Sequence, residues 1–119
     1  MVSGDEIRKW SLALDEAYEL PHFEKAAFYV RKKIFATLSP HGSRICVKLS
    51  VEGQSLFCSH DLKVIFPVAN KWGKLGWTFV DLKKVSKTLT KEILLTAYCT
   101  VAPKKLAAKY NSASSTRPA

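Results

Sequence analysis

The chain has 119 residues, 47% hydrophobic and 11% aromatic, and its 19 basic and 10 acidic side chains leave a formal net charge of +9. That length fits one domain with a real core, and such aromatic content is foreign to disordered chains. No apolar run approaches the ~20 residues of a membrane-crossing helix, and Met1–Glu6 lacks the basic-then-apolar pattern of a signal peptide.

Residues 3–18 predict a helix. Ser3 and Glu6 have capping-box spacing, and Ile7, Trp10, Leu14 and Ala17 or Tyr18 recur at helical spacing. Leu20-Pro21 marks its end, because a residue before proline avoids the α region. Residues 20–27 read as strand. Phe28–Val30 and Ile34–Leu38 then form two strands around a short basic turn at Arg31-Lys32. Ser39-Pro40-His41-Gly42-Ser43 signals another turn, and Arg44–Leu49 follows as a strand with alternating faces.

Ser50 is a suitable N-cap for a short helix reaching about Ser59, which Gly53 weakens by up to ~1 kcal/mol relative to alanine. Val64–Val68 and Gly76–Leu82 read as a hairpin around Asn70–Lys74, and Pro67 suits an edge strand or a bulge. A long helix is expected from about Thr88 to Val101, with Pro103 interrupting it before a further helical turn over Lys104–Tyr110. Residues 111–119 are Ser/Ala-rich and read as a frayed, flexible tail, leaving one domain over residues 1–110. Sequential hairpins with an amphipathic helix at each end predict an α+β two-layer sandwich. Its antiparallel sheet has five to six strands, covered on one face by the N- and C-terminal helices.

Glu19–Phe23, Phe28–Leu38, Val47–Ser50, Gly76–Leu82 and Val101–Leu106 together resemble the MmcQ/YjbR-like family, over about Ile7 to Lys109. Lys33-Ile34-Phe35-Ala36-Thr37 followed by Gly76-Trp77-Thr78-Phe79-Val80 is the more specific pairing. The resemblance implies a frataxin (CyaY)-like fold, and such proteins are commonly described as predicted DNA-binding proteins with a double-wing arrangement. Two positions depart from the family pattern. Gly53 replaces a helix-forming, often acidic residue, and Lys32 stands where glycine is common in the turn.

The charge is asymmetric: residues 61–119 carry eleven of the bases and three of the acids. A field of that sign favours an anionic partner. The two hairpin tips are the candidate wings, Arg31-Lys32-Lys33 on the first and Lys71-Trp72-Gly73-Lys74 on the second. Arginine and lysine at such tips reach phosphates, and Trp72 is placed to stack on a base or sugar. The plainer alternative is that charged tips keep edge strands soluble and Trp72 folds back on the sheet. Lys83, Lys84 and Lys87 sit where the last strand enters the long helix and oppose its dipole, which favours a binding floor. Lys91 extends that cluster, whose plainer reading is a solvated face.

His22, Phe23, Phe28, Lys33 and Trp77 lie in segments expected to line one sheet face or its rim. They offer a small-molecule or protein interaction pocket, or simply packed aromatics with a satisfied histidine. Three cysteines share no metal-ligand spacing, nor do His22, His41 and His60, so neither a metal nor another cofactor is expected. Cys58 and His60 stand two apart, a poor dyad on a helix, and no hydrolase, metalloprotease or P-loop pattern occurs. The intermixed bases Arg8 and Lys9 argue against an iron-binding acidic ridge on the first helix. The reading is a non-enzymatic, monomeric, cytoplasmic nucleic-acid-binding protein, with DNA favoured over RNA and weak sequence preference.

Overall fold

The capping box forms as its spacing predicts. Ser3 Oγ accepts the Glu6 N–H at 3.1 Å, and Glu6 Oε1 accepts the Ser3 N–H at 3.1 Å. A computed structural model describes the backbone of residues 1–114 and the side chains of residues 1–110. The first helix, α1, spans Gly4–Leu12 and ends earlier than the apolar spacing predicts. Asp15 explains the stop: its carbonyl accepts the Tyr98 hydroxyl at 2.7 Å, and its N–H donates to the Tyr110 hydroxyl at 2.9 Å. Glu16 then takes a positive φ of 62°, turning the chain into a strand.

The strands are β1 (Tyr18–His22), β2 (Lys25–Val30), β3 (Lys33–Leu38), β4 (Arg44–Lys48), β5 (Ile65–Pro67) and β6 (Trp77–Asp81). They make one antiparallel sheet in the order β1-β2-β3-β4-β6-β5. Between β2 and β3, Arg31 and Lys32 have φ of 49° and 69°. Those values match the two-residue turn whose twist suits a hairpin. Register slips between Phe28 and Tyr29, so Phe35 is an extra residue in β3. Its ring meets Tyr98 edge-on at 5.7 Å. The edge strands β1 and β5 contain Pro21 and Pro67 respectively.

After β4, Ser50 caps α2 (Val51–Cys58) and the chain crosses to the far edge, β5, before β6 returns between β5 and β4. The expected plain loop of that hairpin contains a one-turn helix, α3 (Lys71–Lys74), capped by Asn70. Ser86 caps α4 (Lys87–Val101), and α5 (Lys104–Ser114) follows Pro103. α5 thus extends past Asn111, where a tail is expected; the rest of that tail, residues 115–119, lies outside the described residues.

One face of the sheet is closed by helices. Ile7, Phe28, Val30, Phe35, Ile45, Val47, Val80, Ile93, Leu94 and Tyr98 are buried in a single cluster between the layers. Among the described residues the opposite face carries no helix layer. Cross-strand partners place Tyr18 with Tyr29, Ala27 with Thr37, Cys46 with Phe79, and Phe66 with Phe79 on that open side. The architecture is the expected α+β two-layer sandwich.

Candidate nucleic-acid interface

Antiparallel pairing decides which basic groups meet. The β2–β3 turn and the β5–β6 connection leave the same end of the sheet. Their midpoints are three strand spacings apart, about 14 Å. Lys32, Lys33, Lys71 and Lys74 are exposed there, and among the described residues none pairs with a carboxylate. Lys71 Nζ lies 5.9 Å from the Trp72 ring centre, within cation–π range.

Other members of the expected surface are paired with a carboxylate or stand elsewhere. Arg31 is engaged: its guanidinium donates to the two Glu16 carboxylate oxygens at 2.6 and 3.1 Å. That bond holds the Glu16 carboxyl below its ordinary value. Lys83, Lys84 and Lys87 follow β6, whose direction carries them to the opposite end of the sheet, so they do not floor the tips. Lys87 pairs there with Glu6 at 3.0 Å. Lys91 lies 5.0 Å over the Trp10 ring on the helical layer. Lys109 bonds Asp15.

The expected aromatic pocket also divides. His22 and Trp77 line a groove of about 430 Å³ on the open face. Phe28 does not; it pairs with Ala36 on the helix-covered side and is fully buried. Lys33 pairs with core-facing Val30 at the hairpin tip, and so it too leaves the groove. The floor comes instead from Ile34, Thr37, Cys46 and Phe79, with Phe23, Val68 and Trp72 at its margins. Alternation along 44–48 and 77–81 is the signal that could have found Cys46 and Phe79, because same-face residues recur every second position.

A buried polar knot places Trp72 over this groove. Gln54 of α2 donates from Nε2 to the Gly73 carbonyl at 2.8 Å, to Thr78 Oγ1 at 3.1 Å and to the Trp77 carbonyl at 3.2 Å. Gly73 must lack a side chain, since a Cβ would stand 1.8 Å from the Val68 oxygen. Lys48 Nζ bonds the Leu75 carbonyl at the end of α3 and the Leu49 carbonyl at 3.2 Å.

Beside the groove, the Arg44 guanidinium lies 3.9 Å over the Phe79 ring. Ser39 and Arg44 line a small side pocket that shares Lys25, Thr37, Cys46 and Phe79 with the groove. Burial pushes the Cys46 thiol up to about 11, against the opposing pull of Lys25 and Arg44. Such a thiol is neutral at pH 7 and behaves as an apolar floor group. Cys58 and Cys99 are raised by burial as well. Among the described residues, no three His, Cys, Asp or Glu side chains gather as metal ligands, and no helix is long and apolar enough to cross a membrane.

A family model for YjbR matches residues 12–100. Among solved structures, Deinococcus radiodurans protein DR2400, a DUF419-domain protein, is similar in fold. It is 23% identical, with a TM-score of 0.74 over 88% of this chain and 82% of that one. No curated protein matches. With a match across three-quarters of its length and this sheet-and-helix architecture, the chain belongs to the YjbR family.

Proposed function

We propose that the protein is a non-enzymatic, monomeric nucleic-acid-binding module of the cytoplasm, with DNA its first candidate partner. One observation carries the reading: two basic tips from distant parts of the chain stand at one end of one sheet. Their four lysines, Lys32, Lys33, Lys71 and Lys74, have no carboxylate partner among the described residues. Lysine at a tip serves as a mobile point charge for phosphate, and phosphate contacts position a protein without reading sequence. Three free thiols suit a reducing compartment.

Engagement of about four phosphates gives a slope of log K against log salt of roughly −3 to −4. Fluorescence anisotropy with labelled oligonucleotides at two ionic strengths measures it. Lys71→Glu with Lys74→Glu is expected to weaken binding at least tenfold and flatten the slope. Lys83→Glu with Lys84→Glu, at the other end of the sheet, is expected to leave most of the affinity. Equal losses in both double variants would point to diffuse attraction by net charge, and no binding at either salt would remove the proposal.

A further inference from the structure

The open sheet face combines shape and charge that the basic tips alone do not require. Its groove, about 430 Å³, has the size of a small-ligand pocket, ~300–1,000 Å³. Two strongly exposed aromatics stand at its margins: Trp72 on α3, 51% exposed, and Phe23 in the β1–β2 turn, 90% exposed. Phe23 also has φ of +59°, a conformation unfavourable for a bulky residue. Its ring meets the edge of His22 at 4.7 Å, beside the groove. An apolar ring kept in water on strained backbone is the kind of outlier that points toward function.

Charge narrows the occupant. Lys25 and Arg44 stand beside the aromatic floor, and neither pairs with a carboxylate among the described residues. Asp81 lies opposite Arg44 in the β4–β6 register, yet its carboxylate accepts the Lys83 N–H at 2.9 Å. Glu24, in the turn beside Phe23, is exposed and likewise unpaired among the described residues. The complement of flat aromatic walls next to two cations is a planar ring joined to an anion.

We propose that this groove seats an unpaired base of a single-stranded nucleic acid, with the adjoining phosphate held between Lys25 and Arg44. The inference rests on the nucleic-acid reading above and names its substrate class. A base inside a duplex presents only its edge, whereas a free one offers a face for stacking, worth ~1–3 kcal/mol per base. The lysines of the two tips then take phosphates where the strand leaves the groove at the Trp72 end.

The test uses a short oligothymidine strand, an abasic strand of the same length and charge, and a duplex, each titrated by anisotropy and by tryptophan emission. Trp72 and Trp77 border the groove, while Trp10 packs under Lys91 on the helical layer and serves as an internal reference. Oligothymidine is expected to bind at least tenfold more tightly than the abasic strand or the duplex and to quench emission. Trp72→Ala and Phe23→Ala, both at exposed positions, are each expected to weaken oligothymidine binding by about tenfold and abasic binding by less, so that the preference shrinks. If oligothymidine and the abasic strand bind equally, or if the duplex binds as well as the free strand, this inference fails while the nucleic-acid reading stands. If none of the three binds, the nucleic-acid reading itself fails.

Discussion

Gly76 shows how much one backbone atom can decide. Its φ is +106°, and a Cβ there would stand 1.8 Å from the Leu49 carbonyl oxygen, whose own N–H donates to the Gly76 carbonyl at 3.1 Å. Both the angle and the space exclude a side chain. Gly76→Ala is expected to destabilise by about 3 kcal/mol or more, read as a lowered urea midpoint. An unchanged midpoint would mean that the entry to β6 shifts freely. Ser11 makes the opposite case: its hydroxyl is buried and has no hydrogen-bond partner among the described residues. Ser11→Ala removes an unsatisfied group and is expected to raise stability by about 1 kcal/mol, with a fall as the outcome that refutes it. At this scale the sequence is only partly legible. The cap at Ser3 shows in its spacing, but the loss of Phe28 to the core does not. Ala26, Ala27, Phe28, Tyr29 and Val30 offer apolar or aromatic groups to both faces, so alternation cannot say which set points inward.

Among the elements, those with local causes match their sequence signals and those with distant causes do not. The β2–β3 hairpin is legible because two apolar runs flank a two-residue turn. The end of α1 is not, because the apolar spacing continues through Ala17 while the stop comes from Tyr98 and Tyr110, 83 and 95 residues beyond Asp15. The helix α3 is likewise hidden, since four residues carry no readable period; Gln54 secures it from another element. Replacing Gln54 with leucine leaves the Gly73 and Trp77 carbonyls and the Thr78 hydroxyl without their shared donor. A cost of about 1–3 kcal/mol is expected, together with a changed Trp72 emission. Stability lost without any spectral change would detach the knot from the placement of Trp72.

For the molecule as a whole, surface ion pairs join separate parts of the chain, Lys109–Asp15 among them. Lys87–Glu6 ties the start of α4 to α1, and Arg31–Glu16 ties the first basic tip to the turn before β1. Glu6 is held below the ordinary 4.5 first by the Ser3 N–H and then by Lys87, and Glu16 first by the Arg31 hydrogen bond. A carboxyl lowered by folding contributes stability above its unfolded value and loses it as pH falls through the lowered one. The thermal midpoint is therefore expected to be flat from about pH 7 to pH 5 and to decline below about 4.5; Glu6→Gln with Glu16→Gln should flatten the decline. An identical acid profile in that double variant would assign the loss to other carboxyls. The prolines of the two outer strands have a wider consequence. Pro21 and Pro67 each withhold an N–H from the margins along which an incoming chain would template a ladder. Copies of this molecule are thereby discouraged from polymerising side by side, even with an uncovered aromatic surface in view.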